Sequence, residues 1–466
     1  MKKYESYKPL SELWLSSIPS HWNSRKIKYL FSERSEKGYP DEPLLVASQS
    51  MGVVPKHVYG NRTVEAMKDL HLLKLVRVGD FVISLRSFQG GIEYAYYQGI
   101  ISPAYTIMIP KDMIVPHYFR YLAKSRLFIE LLQLCVTGIR EGQNIDYNKL
   151  KNHQIPVPPR DEQEQIVRYL DWQVSKINKL ITVKKKQITL LNEQKEAIIY
   201  NTVTKGLDPN VPMKNSRIEW VNTLPIAWNK DKVVRLFKRI GSGTTPSSGN
   251  LIYYNDGTIP WINSGDLYSD SMYLDGTERA VSQKAIDDYS ILKIYPANTI
   301  VIAMYGASIG NLAISRIRAC CNQACCCLSE IDNRLDIIYA YYLFKACKSY
   351  WIKKSQGGGQ PNISQDIIKQ TWLPLPPRAE QFKITHFLCE YESSINKTID
   401  NIQFEIRLLQ ELRIRLISDV ATGQIDVRGI EIPEYEYVEE ESDEQSDDEI
   451  DGNPYSEEVS DELEME

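Results

Sequence analysis

The chain has 466 residues, 43% of them hydrophobic, which predicts two or three globular domains. Its net charge of −5 combines two opposite parts: residues 431–466 hold 18 Asp and Glu and no Lys or Arg, which leaves +13 for residues 1–430. No apolar run reaches membrane-spanning length, which argues against a membrane protein and favours a cytoplasmic one. The basic body indicates a polyanionic partner. The acidic end predicts a disordered tail, whose simpler role is solubility and whose alternative role is competition for the basic surface.

A first globular segment covers residues 1–158, and a second covers residues 209–375. They open with similar entries, Trp14-Leu-Ser-Ser-Ile-Pro-Ser-His-Trp22 and Trp220-Val-Asn-Thr-Leu-Pro-Ile-Ala-Trp228. In both segments β-branched runs flank a polar loop that contains glycine, and a helical stretch follows, at 115–134 and at 335–353. We therefore predict two mixed α/β domains with the same internal order.

A long helical pattern follows each domain. Pro158-Pro-Arg-Asp-Glu-Gln163 and Pro376-Pro-Arg-Ala-Glu-Gln381 lie 218 positions apart, and each opens a stretch that lacks proline and glycine. Prolines followed by acidic residues are typical of a helix start. The sequence predicts one long helix within residues 159–208 and another within residues 376–430.

Apolar residues recur at spacings of three and four along both stretches, which predicts a heptad seam. About 40 helical residues span about 60 Å, and such a helix with a narrow apolar stripe needs a partner. The simplest partner is the other copy, antiparallel; a separate surface helix on each domain is the alternative. Lys195 and Arg413 interrupt the seam at equivalent places, a pattern that can fix register.

The predicted fold class is therefore α+β. It is an internal duplication with pseudo-twofold symmetry, in which two mixed α/β domains are separated by two long repeated helices that pair as an antiparallel coiled coil.

Five of the eight cysteines crowd into one strand-like run between Cys320 and Cys327. A zinc or disulfide framework would need a second paired cluster or nearby histidines, and the sequence offers neither. We interpret these cysteines as small buried apolar residues in a reducing cytoplasm. A metal site is the less favoured alternative.

Catalytic motifs are hard to find. Gly306-Ala-Ser-Ile-Gly310 lacks the lysine and the spacing of a phosphate-binding loop. No glycine-rich loop typical of S-adenosylmethionine sites follows a strand, and none of the six histidines stands beside a plausible nucleophile. We predict no catalytic residue and no metal ligand in this chain.

The polar loops suit a different task, the reading of DNA bases. Arg pairs with guanine, Asn and Gln pair with adenine, and glycine lets backbone approach closely. The candidate DNA-contacting residues of the first domain are Arg86, Ser87, Phe88, Gln89, Gly90, Gly91, Arg140, Gln143 and Asn144. Those of the second domain are Thr244, Thr245, Tyr305, Gly306, Ser308, Asn322, Gln323, Gln360 and Asn362. Ordinary turns are the alternative interpretation, and Asn322 and Gln323 could serve only the backbone of the cysteine-rich run.

Together these features resemble the specificity subunit of type I restriction-modification systems. The resemblance rests on both Pro-Pro-Arg-x-Glu-Gln helix starts, the entries Ile18–Trp22 and Leu224–Trp228, and the runs Arg86–Gly91, Ser102–Tyr105, Ile259–Asp266, Tyr305–Gly310 and Cys321–Ala324. It covers residues 1 to about 430 and leaves out the acidic tail.

The resemblance implies that each globular domain is a target recognition domain for one half of a split double-stranded DNA sequence, and that the paired helices set the unread gap. It also implies docking of two methyltransferase subunits, which carry S-adenosylmethionine, and of restriction subunits, which use ATP and Mg. This chain would then hold no cofactor. We expect the helix starts to take part in docking, through Pro159, Arg160, Gln163, Pro377, Arg378 and Gln381. A self-contained DNA methyltransferase or nuclease and a coiled-coil protein adaptor are the alternatives.

Overall fold

The computed structural model describes residues 2–59, 69–85, 87–137, 144–268, 271–355 and 361–438. Of the predicted disordered tail, residues 431–438 are described and residues 436 and 438 are hydrogen-bonded to Ser175 and Asn178, whereas residues 439–466 lie outside the described residues. The chain separates into two compact units. Unit 1 comprises Met1–Lys186 and Ile402–Glu466, and unit 2 comprises Gln187–Asn401. Each unit therefore contains one predicted domain and a part of both long helices.

Unit 1 contains the first domain. Its strands are β1 (Tyr7–Pro9), β2 (Ser17–Pro19), β3 (Asn23–Lys26), β4 (Phe31–Arg34), β5 (Leu45–Ser48), β6 (Gly52–Pro55), β7 (Lys74–Val76), β8 (Phe81–Ile83), β9 (Glu93–Tyr94), β10 (Gly99–Ile101), β11 (Thr106–Pro110), β12 (Val136–Thr137), β13 (Asn144–Ile145) and β14 (Gln154–Val157). Its helices are α1 (Ile27–Leu30), α2 (Lys56–Tyr59), α3 (Ser87–Gly90), α4 (Pro116–Ala123), α5 (Arg126–Leu134) and α6 (Tyr147–Leu150), and the long helix α7 (Arg160–Lys205) follows.

The largest described sheet of unit 1 is antiparallel, in the order β4-β11-β8-β9. The helical stretch predicted at 115–134 is two helices, because Ser125 interrupts it and caps α5 by accepting a hydrogen bond from Phe128 N (3.3 Å). Strand β3 pairs with β14, so the entry and the exit of the domain lie side by side where α7 begins.

Unit 2 contains the second domain. Its strands are β15 (Met213–Ile218), β16 (Val221–Pro225), β17 (Asn229–Lys232), β18 (Phe237–Gly241), β19 (Ile259–Ile262), β20 (Tyr273–Leu274), β21 (Ala280–Val281), β22 (Thr299–Ala303), β23 (Leu312–Ser315), β24 (Cys320–Cys321), β25 (Cys325–Ile331) and β26 (Trp372–Leu375). Its helices are α8 (Val233–Leu236), α9 (Gln283–Asp288), α10 (Ile337–Lys354) and α11 (Gln365–Gln370), and the long helix α12 (Arg378–Ala421) follows.

A five-stranded sheet in the order β18-β25-β22-β23-β20 forms the centre of unit 2. Its middle strand β22 is buried along its whole length, as the apolar run from Ile300 to Ala303 favours. On one side the core continues into α10, with Tyr339, Phe344 and Trp351 fully buried. Strand β17 pairs with β26, which repeats the entry-to-exit pairing of the first domain.

The two long helices pair in antiparallel orientation, as predicted. In unit 1, Arg413 Nη1 donates to Asn178 Oδ1 at 2.9 Å, and Lys184 pairs with Glu405 further along α7. Residue numbers thus increase along α7 as the numbers of their partners decrease along α12. In unit 2, Lys195 Nζ donates to Asn396 Oδ1 at 3.1 Å.

These two asparagine contacts, Asn178–Arg413 and Lys195–Asn396, are named here the register pairs. Each cation and each asparagine lies 218 positions from its counterpart, so the duplication has built the same contact twice. The cations expected to fix the register therefore have specific partners inside the seam. The predicted fold class, including the duplication and the antiparallel coiled coil, is confirmed.

Each domain also contacts the end of the long helix from the other copy. Tyr118 Oη donates to the carbonyl oxygen of Ala421 (2.8 Å) in unit 1, and Tyr339 Oη donates to that of Val203 (3.1 Å) in unit 2. Burial raises the pKa of both phenols, so both remain protonated donors. Beyond Ala421, Gly423 ends α12 with a φ of 79°, and a Cβ there would lie 2.6 Å from Pro19.

The register pairs predict a measurable coupling between helices. Changing Asn178→Ala and Arg413→Ala singly and together should give a coupling free energy of about 0.5–1.5 kcal/mol, because a hydrogen bond to a charged group is lost in each single variant. Urea unfolding of the four proteins measures it. The cycle for Lys195 and Asn396 should give a similar value.

Asn178 and Lys195 supply the matched control, since they belong to different register pairs. Their free energies of unfolding should add to within about 0.5 kcal/mol. Additivity within the Asn178–Arg413 cycle as well would show that this contact does not hold the register.

Candidate nucleic-acid interface

Several polar segments of unit 2 meet at one end of the five-stranded sheet. Strands β18 and β22 end there and β25 begins there. Gly243 N donates to the carbonyl of Asn322 (3.3 Å), and Tyr305 forms an isolated β-bridge with Asn362. We call the segments 242–245, 304–308, 322–324 and 361–363 the sheet-end loops. Predicted residues as far apart in sequence as Thr244 and Asn362 thus lie at the same end of the sheet.

Some of the predicted residues present their side chains to solvent. Thr245, Gln323 and Asn362 are exposed, and Tyr305 is 42% exposed. Thr245 Oγ1 donates to Gln323 Oε1 at 2.7 Å, which orients the glutamine amide. An oriented amide can offer a donor and an acceptor together, as adenine recognition requires.

Other predicted residues of the sheet-end loops hold the backbone. Asn322 is half-buried, its Nδ2 donates to Asn263 Oδ1 (3.0 Å) and its Oδ1 accepts from Ala324 N (3.0 Å). Ser308 is buried and donates to the carbonyl of Tyr305 (2.7 Å). For Asn322 the alternative of a backbone role matches the structure. The remaining two predicted positions, Thr244 and Gly306, are half-buried.

Gly243, which the sequence analysis did not single out, explains how the loops approach so closely. A Cβ at this position would lie 1.7 Å from the carbonyl oxygen of Cys321. Only glycine allows the segment after β18 to lie against the segment before β25.

In the first domain the predicted polar loop at Ser87–Gly91 is wrong as a loop. Residues Ser87–Gly90 form the single helical turn α3. The turn is stabilised by Ser87, whose buried Oγ accepts from Ser84 N (2.9 Å) and whose carbonyl accepts from Gly91 N (2.8 Å). Phe88 is half-buried and Gln89 is exposed, so Gln89 is the described residue of this turn best placed to reach a base.

Asn144 lies in β13, exposed, and pairs with Thr137 in β12. Among the described residues, no hydrogen bond or strand pairing joins Asn144 to the Ser87–Gly91 turn. Arg86, Arg140, Gln143 and Gln360 lie outside the described residues. Of the candidate residues that are described, the structure therefore brings together those of the second domain, and it shows no such bond between those of the first.

Two lysines next to these loops were missed by sequence reasoning. Lys124 Nζ donates to the carbonyl of Gly90 (2.9 Å) and pairs with Glu93 (2.7 Å), while Lys348 Nζ donates to Asn311 Oδ1 (2.9 Å). Both belong to the helical part of their domain. Their contacts with these loops arise only from tertiary packing, and no local pattern in the sequence indicates them.

The helix starts hold the domains to the long helices. Gln163 Oε1 accepts from Val115 N (2.7 Å), and Gln381 Oε1 accepts from Asp336 N (2.8 Å). The Nε2 groups of both glutamines donate to the carbonyls of Pro158 and Pro376, two residues before the respective helices. The duplicated glutamines thus do the same work in both copies.

This arrangement changes the docking prediction for two residues. Gln163 and Gln381 are 1% and 0% exposed, so their side chains serve the fold and present no surface to a partner. Pro159, Arg160, Pro377 and Arg378 are exposed, and docking through them stays a prediction.

The acidic residue of each helix start is also engaged within its unit. Glu162 is buried, accepts from Tyr4 Oη and contacts His21 Nε2 at 2.8 Å. Glu380 accepts from Trp228 Nε1 at 2.9 Å. The entry segment of each domain is therefore bonded to the start of the long helix that leaves it.

The crowded cysteines are buried in β24 and β25, as interpreted from the sequence. Burial raises the pKa of Cys320 and Cys326 to about 12, which keeps these thiols protonated. Among the described residues no group of three His, Cys, Asp or Glu lies close enough to hold a metal ion. No helix in the described part of the chain is both long and apolar enough to cross a membrane.

Comparison with known proteins identifies the family. The family model for the type I restriction modification DNA specificity domain matches residues 74–190 and 225–404, which include both sets of loops. The chain belongs to this family.

Curated specificity subunits resemble the chain over nearly its whole length. A putative type I restriction enzyme MjaX specificity subunit of Methanocaldococcus jannaschii is 24% identical over 89% of this chain and 96% of its own. The MjaIX specificity subunit of the same organism is 22% identical over 92% of this chain and 99% of its own.

A solved structure shares the fold of this specificity-subunit family member. It comes from a study of complex assembly and conformational transition of the type I restriction-modification system, with a TM-score of 0.63 and 13% identity. The match covers 88% of this chain and 99% of that one.

The burial of the cysteines predicts a simple pattern of thiol reactivity. Seven of the eight cysteines are buried and Cys389 is exposed, so a thiol reagent should modify one group per native chain rapidly. Titration with Ellman's reagent near neutral pH measures this, and Cys389→Ser should remove the rapid phase. Denaturant should expose all eight thiols. Any rapid group that remains in the native Cys389→Ser protein would contradict the burial of the other seven cysteines.

Proposed function

We propose that this specificity-subunit family member recognises a bipartite DNA sequence, with one half-site read by each domain. The observation that carries the proposal is the duplication itself: two domains with the same entry-to-exit strand pairing, each followed by one of two paired long helices. The charge of +13 on residues 1–430 supports a polyanionic ligand, since phosphate contacts supply much of the affinity for DNA.

In the second domain we assign base reading to the exposed side chains of the sheet-end loops. Gln323 and Asn362 carry amides that can bond adenine, and Thr245 orients Gln323. In the first domain Gln89 and Asn144 are exposed and chemically equivalent. Buried residues such as Ser308 would then shape the loops without touching DNA.

The chemistry in this proposal takes place on partner subunits. Two methyltransferase subunits would dock on the paired helices and supply S-adenosylmethionine, and restriction subunits would supply the ATP- and Mg-dependent step. The long helices α7 and α12 would serve as docking surface and as spacer. We expect this complex to act in the cytoplasm, where the host DNA lies.

A map of adenine methylation over the host genome, with and without this gene, tests the proposal. One split motif should lose its methylation when the gene is removed. An unchanged map in cells that contain the chain and an active methyltransferase partner would reject a recognition role.

Exchange of residues 1–158 for the corresponding domain of another family member should change only one half of the methylated motif in that map. One half of the methylated motif should change and the other half should stay, because each domain reads its half-site independently. A motif altered in both halves, or in neither, would contradict the two-reader arrangement.

Gln323→Ala and Asn322→Ala distinguish a residue that contacts a base from a residue that stabilises the fold. Gln323→Ala should reduce methylation of the motif by roughly 5- to 150-fold, since a base-amide pair contributes about 1–3 kcal/mol. The melting temperature should stay unchanged, because Gln323 is exposed. Asn322→Ala should instead lower the free energy of unfolding by about 1–3 kcal/mol, since Ala324 N and Asn263 lose their partner. Full methylation by Gln323→Ala would remove this residue from the interface.

The spacer role predicts a change in the unread gap. Insertion of seven residues into both α7 and α12, after Lys186 and before Ile402, adds about 10 Å and preserves the heptad seam. The gap between half-sites should grow by about three base pairs. Insertion into α7 alone should disrupt the pairing and abolish methylation. An unchanged gap in the double insertion would show that the helices are not the spacer.

A further inference from the structure

A segment of the chain after α12 lies against α7 within unit 1. We call residues 431–438 the C-terminal strap. Ser175 Oγ donates to the carbonyl of Glu436 (2.9 Å) and accepts from Val438 N (2.8 Å). Asn178 Nδ2 donates to the carbonyl of Val438 (3.2 Å), and Lys179 Nζ pairs with the Glu436 carboxylate (3.1 Å). Three side chains of one helix thus hold two alternate residues of the strap.

The geometry of these contacts explains what α7 recognises. Residues 175, 178 and 179 are spaced i, i+3 and i+4, so they share one helix face. The serine and the asparagine bond backbone groups of residues 436 and 438, and alternate residues face the same way in extended chain. Of the three residues, only Lys179 contacts a side chain of the strap, and that side chain is the Glu436 carboxylate. The three residues therefore suit an extended segment with an acidic residue.

The duplication places the same three residues on α12. Ser393, Asn396 and Lys397 lie 218 positions after Ser175, Asn178 and Lys179. Asn396 Oδ1 accepts from Lys195 as Asn178 Oδ1 accepts from Arg413, so the equivalent register pair orients this amide as well. Its Nδ2 group has no hydrogen-bond partner among the described residues.

The α12 face is open where the α7 face is covered. Ser393 and Lys397 are exposed, and within the described part of the chain neither side chain makes a hydrogen bond or an ion pair. Ser175 is by contrast 2% exposed and Asn178 is 5% exposed. The register pair accounts for the repeat of the asparagine, but it does not account for the repeat of the serine and the lysine.

We propose that Ser393, Asn396 and Lys397 of α12 bind an extended acidic segment of a partner protein, in the manner in which α7 binds the C-terminal strap. The chain's own strap is engaged on α7 and so does not occupy this face. A partner segment with a carboxylate two residues before a free backbone carbonyl repeats every contact that α7 makes. This site is independent of DNA reading and stands whether or not the sheet-end loops contact bases.

A fluorescent peptide with the strap sequence, Glu431-Ile-Pro-Glu-Tyr-Glu-Tyr-Val438, serves as the probe. Anisotropy titration with the full chain should show one peptide bound per chain. Lys397→Glu should weaken binding at least tenfold, because the lysine–carboxylate pair becomes a repulsion. Lys397 is exposed, so this variant should keep its native circular dichroism and melting temperature.

Lys179→Glu is the matched control, since it makes the same change on the equivalent face of α7. It should leave the affinity of the α12 site for the peptide within twofold of the unaltered chain. Glu436→Lys in the full chain should release the strap from Lys179 and raise the stoichiometry from one peptide to two. A peptide with lysine in place of Glu436 should bind neither face.

Three outcomes would overturn the proposal. The folded chain could fail to bind peptide at about 1 mM, the limit of useful affinity. Binding could persist in Lys397→Glu, which would place the peptide elsewhere. The chain could also form a dimer that Lys397→Glu dissociates, which would make the occupant a second copy of this chain and not a partner.

Discussion

The contact on which the structure depends is a hydrogen bond between an asparagine of one long helix and a cation of the other. A heptad seam alone is nearly as well satisfied when one helix slides by seven residues past its partner, because each apolar side chain then meets another. A cation inside the seam removes that freedom, since any other alignment leaves a partly buried charge without its acceptor. Asn178 with Arg413 and Lys195 with Asn396 impose this condition in both units, so only one alignment satisfies both.

When the register of the two long helices is fixed, exposed loop residues can change without disturbing the helices and sheets that support them. Within the sheet-end loops, the residues that hold backbone, such as Asn322 and Ser308, are separate from the exposed Gln323 and Asn362. A change in an exposed amide leaves the bonds of its neighbour intact. The helix starts follow the same division, with Gln163 and Gln381 buried in the frame and the arginines beside them exposed. A duplicated frame with exposed loop residues therefore allows the loops of one domain to change independently of those of the other.

The long helices and the duplication could be predicted from the sequence because both are written in local patterns, a period of three to four residues and a constant offset of 218. The candidate residues of the second domain could be chosen by residue chemistry, but the convergence of their loops could not be predicted, because it depends on strand pairing between distant segments. The turn at Ser87–Gly90 was predicted as a loop because its stability comes from the Ser87 hydroxyl, a contact that glycine content obscures. The burial of Gln163 and Gln381 could not be predicted from the sequence either. Their partners, Val115 and Asp336, are distant in the chain, and no local sequence pattern indicates them. Lys124 and the strap likewise depend on contacts between residues far apart in the chain.

Unit 2 is one continuous stretch of chain, whereas unit 1 is made from the two ends. During synthesis the ribosome therefore releases every residue of unit 2 before it releases the last part of unit 1. The contacts of Tyr118 with Ala421 and of Pro19 with Gly423 can form only after the end of α12 has been synthesised. The first domain is therefore synthesised before the second domain but completes its folding after it. A truncated product that lacks the end of α12 would contain a complete second domain and an unfinished first one. Premature termination within the end of α12 would therefore release a chain in which only the second domain is complete.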